Sequence, residues 1–163
     1  MRLGFIGTGK IASSVITGIC TSKISFRKII VSPRNRNTAQ KLKKKFKKVI
    51  IAKTNQEIVN KCNWVFLAVT PMVGKKILPK LNYRSNQKII SFISTINLAQ
   101  LKKIVKKKSK IVRAIPLPPI SLGKGPVPIC PPDKQVKSFF NKIGTTVEIR
   151  SEKSSKNFRF SKK

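Results

Sequence analysis

The chain has 163 residues, which gives room for one domain able to bury a sizeable core. A hydrophobic fraction of 40% is that of a folded protein, and no apolar run approaches the length needed to span a membrane. The formal net charge is +33, from 37 Lys and Arg against 4 Asp and Glu, and the absence of His leaves almost no ligands for a metal site.

Short apolar segments alternate with amphipathic segments along the chain. The predicted strands are residues 3–6, 28–32, 49–52, 64–69, 89–93, 111–115 and 146–149. Helical spacing of apolar residues predicts helices over 11–19, 39–46, 54–59, 97–105 and 133–144. Near-continuous apolar strands that alternate with amphipathic helices are typical of a parallel sheet covered on both faces. The predicted fold class is therefore α/β, a Rossmann-like, doubly wound, mainly parallel sheet with helices on both faces.

A glycine-rich turn joins the first strand to the first helix. Gly7 suits the tight turn, Gly9 lets the backbone approach a pyrophosphate, and the small Ala12 permits close packing of helix on strand. The free N–H groups at the start of the helix favour phosphate. A purely structural turn is the alternative, but the strand-turn-helix setting favours a dinucleotide site. Its predicted cofactor-binding residues are Gly7, Thr8, Gly9, Lys10, Ile11 and Ala12.

The end of the second strand predicts which dinucleotide binds. An NAD site has an acidic residue there for the ribose 2′-hydroxyl, whereas this segment reads VSPRNR and contains no acid. A hydroxyl followed by two guanidinium groups suits a 2′-phosphate, so Ser32, Arg34 and Arg36 favour NADP(H) over NAD. In so basic a chain, two arginines could also have no special meaning.

Four segments together resemble the N-terminal domain of the pyrroline-5-carboxylate reductase family: GFIGTGKIASSVITGI, VSPRNRNTAQKL, VFLAVTPM and VRAIPLPP. The resemblance covers essentially all of residues 1–150, and implies that this range is an NADP-binding domain. It also implies that Ala68, Val69 and Pro71, after the fourth strand, contact the cofactor.

The resemblance is less complete around the nicotinamide. The family's Met-Pro-Asn-Thr-Pro segment matches residues 115–119, so Pro116 is implied to contact the cofactor, but Leu117 replaces the amide side chain. Ser94-Thr95 stands where Ala-Gly is usual. These departures concern the nicotinamide pocket and the substrate more than the fold.

The family's reaction is hydride transfer from NADPH carbon 4 to a cyclic imine, which yields L-proline in amino-acid biosynthesis. Because a protonated imine is already electrophilic, this reaction needs little acid–base apparatus, and no residue is predicted to be catalytic. Asp133 is predicted as a helix cap, Glu57 as part of a capping box, and Glu148 and Glu152 as surface charges. The alternatives are another NADP-dependent imine or carbonyl oxidoreductase, or a non-catalytic basic protein that binds dinucleotides or nucleic acid.

The resembling family continues into a second, all-helical domain that dimerises and contacts the substrate. Here residues 151–163 read SEKSSKNFRFSKK, which is polar and lacks apolar periodicity, so the tail is predicted to be truncated or disordered. We therefore expect a monomer that binds cofactor but forms little proline, with the helical half missing or supplied by a partner chain.

The remaining features bear on location and on partners other than substrate. Cys20, Cys62 and Cys130 lie far apart and are predicted to be buried thiols of a reducing cytoplasm. Lys10 interrupts the N-terminal apolar stretch, which argues against a signal peptide. The lysine runs at 41–48 and 102–110 are most simply solvated helix faces. Composition bias is favoured over a nucleic-acid footprint as the explanation of the charge, and nucleic acid is expected to bind only non-specifically, through the basic charge.

Overall fold

The strands of the protein follow the apolar segments of its sequence. They are β1 Arg2–Ile6, β2 Lys28–Val31, β3 Val49–Ile51, β4 Trp64–Leu67, β5 Lys88–Ser91, β6 Lys110–Ala114, β7 Pro126–Cys130 and β8 Thr145–Glu148. The computed structural model, which describes residues 1–154, joins them into one sheet in the order β3-β2-β1-β4-β5-β6-β7-β8. The part of the predicted tail from residue 155 onward lies outside the described residues.

Helices connect most of the strands and cover both faces of the sheet. They are α1 Lys10–Cys20, α2 Arg36–Lys45, α3 Asn55–Lys61, α4 Pro71–Ile77, α5 Leu98–Val105 and α6 Lys134–Phe140, with 3-10 turns at Leu78–Lys80, Pro118–Leu122 and Glu152–Ser154. Within residues 1–154, none of these helices could cross a lipid bilayer. The predicted α/β, doubly wound fold class is confirmed.

Neighbouring strands are parallel except at one position. β6 and β7 run antiparallel, with Arg113 opposite Cys130 and Ala114 opposite Ile129. The connection between them is a 3-10 turn rather than a crossover helix, so the chain reverses direction there. β8 then pairs with β7 in parallel, because α6 supplies a crossover.

Two apolar layers hold the helices to the sheet. One contains buried residues of α1, α2 and α6, and aromatic side chains of the sheet join it, with the Phe5 and Phe66 rings stacked at 4.4 Å. The other contains buried residues of α3 and α5, such as Ile58 and Leu101. Since side chains alternate along a strand, consecutive residues of β1 serve opposite layers.

Local sequence signals set several helix ends. Asn97 and Gln100 form a reciprocal capping box at α5. At α3, Thr54 accepts the Glu57 N–H, but the Glu57 carboxylate accepts the Lys53 N–H. The predicted capping box is therefore only half formed there, because Glu57 reaches one residue further back.

Two of the cysteines are fully buried, as predicted. Cys62 and Cys130 are buried and Cys20 is half-buried, and all are free thiols. Burial raises the pKa of the Cys62 thiol to about 12, so it remains protonated at neutral pH and behaves as an apolar side chain.

Candidate cofactor site

A cavity of about 480 Å³ opens at the carboxyl edge of the sheet, beside the ends of β1, β2 and β4. The strand order reverses between β1 and β4, because the chain first builds outward to β3 and then returns to the other side of β1. In open α/β sheets this switch point leaves a crevice between the diverging connections. The topology therefore creates the cavity and the strand ends line it.

Most of the predicted site residues meet at this cavity. The predicted residues that line it are Gly7, Thr8, Gly9, Ser32, Arg34, Arg36, Ala68 and Val69. The other five predicted residues are not among those that line it. Lys10 is exposed at the start of α1, Ile11 packs on the core, and Ala12 is a buried residue of α1. Pro71 lies at the start of α4, and Pro116 is buried after β6.

Glycine occurs at the two positions of the turn for different reasons. Gly7 has φ of +105°, and a Cβ there would lie 2.4 Å from the Ala68 carbonyl oxygen. The fold itself therefore requires Gly7. Gly9 has φ of −67°, and a Cβ there would meet nothing within 4 Å. Nothing in residues 1–154 requires glycine at this second position, so the open space above Gly9 fits a bound group.

Two further features of this end of the cavity fit an anion. α1 begins after Gly9 with no side-chain cap, so the N–H groups of its first turn are not satisfied by a capping side chain. Thr8 is only 3% exposed, and its Oγ1 has no hydrogen-bond partner among the described residues. A buried hydroxyl without a partner is costly unless a ligand completes it. Both features suit the pyrophosphate of a dinucleotide.

Ser32 links three segments around the cavity. Its Oγ accepts the Gly7 N–H at 3.0 Å and donates to Asn55 Oδ1 at 2.6 Å. The hydroxyl proton is thereby engaged, so Ser32 donates to a 2′-phosphate only if the Asn55 bond opens. In this arrangement, Ser32 positions the glycine turn against the start of α3.

The rim of the cavity at the start of α2 is positively charged. Arg34 and Arg36 are exposed and line the cavity on either side of Asn35, which caps α2 by accepting the Thr38 N–H. The side-chain carboxylates of the chain form ion pairs elsewhere, at Lys61–Glu57, Lys88–Asp133, Arg113–Glu152 and Lys137–Glu148. The rim thus keeps its charge for an anionic ligand.

Several lining residues escaped the sequence analysis. Asn55 lies at the first turn of α3, after β3, where the sequence predicts a capped helix but no cofactor contact. Val73 and Ile77 of α4 form an apolar wall, and α4 itself was not predicted. The sequence does contain a signal for α4. Pro is typical of the first position of a helix, where Pro71 lies, and Val73 and Ile77 are four residues apart, so they lie on one side of a helix.

The structure also corrects the prediction for Glu152. It was expected as a surface charge, but its Oε1 lies 2.7 Å from Arg113 Nη1 and accepts the Leu98 N–H at 2.9 Å. Arg113 is 5% exposed and also donates to the Ser94 carbonyl. Through these two contacts of Glu152, the chain after β8 packs at the carboxyl edge of β5 and β6, next to the Ser94-Thr95 segment.

Comparisons with known proteins identify a family and several relatives of this chain. A family model described as "NADP oxidoreductase coenzyme F420-dependent" matches residues 2–97. Pyrroline-5-carboxylate reductase 3 of Danio rerio is 29% identical over 128 residues, which cover 77% of this chain and 44% of that protein. Pyrroline-5-carboxylate reductase of Synechocystis is 26% identical over 157 residues, which cover 91% and 58% respectively.

The fold agrees with a solved structure as well. Plasmodium falciparum pyrroline carboxylate reductase with NADP bound matches with a TM-score of 0.80 at 24% identity, over 94% of this chain and 59% of that one. The chain spans about half the length of the curated relatives it matches. The chain belongs to the NADP oxidoreductase family whose sequence model matches residues 2–97, as an NADP-binding domain of the pyrroline-5-carboxylate reductase type.

Proposed function

We propose that this chain is the cofactor-binding part of an NADPH-dependent reductase of the pyrroline-5-carboxylate reductase type, which reduces a cyclic imine to L-proline. The observation that carries the proposal is the cavity at the switch point, with open space above Gly9 at one end and the charged rim of Arg34 and Arg36 at the other. The relatives' names support the reaction class, and cytoplasmic proline biosynthesis is the setting that we propose for it.

Different residues of the cavity bind different parts of the cofactor. The N–H groups at the start of α1 and the Thr8 hydroxyl hold the pyrophosphate, and Arg34 and Arg36 hold the 2′-phosphate. Val69, Val73 and Ile77 exclude water on the apolar side of the cavity. When bound, NADPH supplies the hydride, so the protein has to orient it and shape its electrostatics.

The substrate side lies beyond this cavity. Each of the four carboxylates is engaged in an ion pair, and none of them lines the cavity within the described residues. Because the resembling family makes its substrate contacts and its dimer with a second, helical domain, we propose that such a domain or a partner chain completes the imine site, and that the chain by itself is a monomer. Lys10, Ile11, Ala12, Pro71 and Pro116 remain proposed cofactor neighbours.

Replacing Arg34 by Gln tests the choice of cofactor. A hydrogen bond to a charged group contributes about 1.5–3 kcal/mol, so the Kd for NADPH should rise about tenfold or more. The Kd for NADH, which lacks the 2′-phosphate, should change less than twofold. Fluorescence titration of both cofactors measures this, with Arg150→Gln as a control outside the cavity-lining set. Equal losses for the two cofactors would refute the assignment of the Arg34 loop.

Turnover by the purified 163-residue chain tests the missing half. We expect NADPH binding but negligible oxidation of NADPH with pyrroline-5-carboxylate, because the resemblance assigns substrate contacts to a helical domain. The measurement is the loss of NADPH absorbance with and without the imine. Imine-dependent oxidation at a rate typical of enzymes would show that the chain is complete by itself.

A further inference from the structure

We infer that the exposed face of α2 binds the phosphodiester backbone of nucleic acid, and that NADPH competes with this binding because both use Arg34 and Arg36. The competition rests on the proposed cofactor site, whereas the nucleic-acid contact does not. The inference starts from where the lysines of α2 lie relative to the cavity.

Two rows of side chains run along α2 from the cavity rim. Residues four apart lie on the same side of a helix, so Arg36, Gln40 and Lys44 form one row, and Asn37, Lys41 and Lys45 form the next. All six are exposed. Arg36 and Asn37, the first members, line the cofactor cavity. The rows therefore extend the charged rim along the helix for about 14 Å.

No carboxylate neutralises this face. The four acidic side chains of the chain are held on or near α3, α6, β8 and the last 3-10 turn, each in an ion pair. In the described part of the chain, Lys41 and Lys45 thus repel each other without a compensating acid on α2. A polyanion laid along the helix would remove this repulsion and release its own counterions.

The chemistry of the face favours nucleic acid over a membrane. The apolar residues of α2, Ala39 and Leu42, are 0% and 6% exposed and pack into the core. They cannot enter a lipid interface, which an amphipathic membrane-bound helix requires. The exposed surface instead offers lysine ammonium groups and polar side chains, and such contacts to phosphate are independent of base sequence.

A matched pair of variants tests whether nucleic acid binds at α2 rather than at any lysine-rich surface. The first is Lys41→Gln/Lys44→Gln/Lys45→Gln on α2. The second is Lys102→Gln/Lys103→Gln/Lys107→Gln on and just after α5, which packs on the opposite face of the sheet. The two variants remove the same charge from exposed positions. Composition bias predicts equal effects, whereas a binding face predicts a loss for the α2 variant only.

The measurement is fluorescence anisotropy of a labelled 20-base-pair DNA duplex and its labelled single strand, with the full chain at several salt concentrations. We expect the α2 variant to raise the Kd at least tenfold and to lower the salt slope by about 2–3, since each lost phosphate contact removes about 0.9. We expect the α5 variant to change the Kd less than threefold. Equal losses in the two variants would overturn the inference in favour of net charge alone.

The competition is measured on the wild-type chain. Saturating NADPH should raise the Kd for the oligonucleotide severalfold, and NADH should do so much less, because it leaves Arg34 and Arg36 free. Unchanged oligonucleotide binding with NADPH demonstrably bound would overturn the shared use of these arginines. If direct titration shows no NADPH binding, the proposed function fails, while the comparison of α2 with α5 still decides the nucleic-acid face.

Vesicles of phosphatidylcholine with phosphatidylserine provide the last arm. Both variants should bind them with equal affinity, because they carry the same net charge. A vesicle affinity that the α2 variant alone loses, with oligonucleotide binding unchanged, would overturn the inference and make α2 a membrane-contact face.

Circular dichroism of both variants should match that of the wild type, since the substituted side chains are exposed.

Discussion

Replacing Gly9 by Val is expected to abolish NADPH binding, with a rise in Kd of at least a hundredfold, while the domain stays folded. A Cβ at Gly9 would meet none of residues 1–154 within 4 Å, so the described part of the chain leaves open space where the new side chain begins. The same space lies before the uncapped N terminus of α1, where the pyrophosphate is proposed to bind. The side chain would therefore exclude the ligand rather than disturb the fold.

Two measurements and two control variants test this prediction. Titration gives the Kd for NADPH, and thermal unfolding gives stability, for which we expect a loss of about 1 kcal/mol because Val is a poorer helix cap than Gly. Gly9→Ala shares the capping cost with a smaller side chain, and should weaken NADPH less. Gly7→Ala should instead destabilise the protein, because its Cβ would lie 2.4 Å from the Ala68 carbonyl oxygen. Full NADPH affinity in Gly9→Val would remove the pyrophosphate site from this turn.

Replacing Asp133 by Asn should lower the free energy of unfolding by about 3 kcal/mol, which for a domain of this size is about 10 °C in Tm. Both Asp133 carboxylate oxygens lie 2.8 Å from Lys88 Nζ, and the two side chains are 13% and 7% exposed. The Lys88 ammonium also bonds Gln135 and lies 5.3 Å from the Trp64 ring centroid. The amide of Asn keeps the helix cap but leaves this ammonium buried without a counter-charge.

Two control variants separate the charge from the cap. Glu148→Gln removes an exposed partner 3.8 Å from Lys137, and should change stability by less than about 0.5 kcal/mol. Combining Asp133→Asn with Lys88→Met removes both charges, and should recover most of the loss. If the double variant is as unstable as the single one, the buried charge is not the cause. Urea unfolding measures all of these variants.

The same carboxylate makes stability depend on pH. Burial raises the pKa of Asp133, but the hydrogen bonds from Lys88, Val136 and Gln135, together with the Lys88 charge, outweigh it and leave the pKa below its ordinary value of 3.8. A lowered pKa contributes stability above the unfolded value, and this is lost as the pH falls through the folded value. Acidification below about pH 4 should therefore narrow the difference between wild type and Asp133→Asn.

The sequence by itself determined the features that depend on short segments. The apolar runs at residues 3–6 and 64–69 predict strands because both faces of a parallel sheet are buried. The turn at Gly7 follows from its place between a strand and a helix. Arg34 and Arg36 were identified because they follow a strand whose carboxyl end must lie at the same edge as that turn.

Only the tertiary structure decided the features that join distant segments. Ser32 holds Asn55 and the Gly7 N–H together, although the three residues belong to the ends of different strands. Glu152 meets Arg113 because the chain after β8 returns to the carboxyl edge of β6. Neither contact has a local pattern, since a hydrogen bond depends on how the segments pack and not on their spacing along the chain. For the same reason a residue predicted as a surface charge lies in a partly buried ion pair.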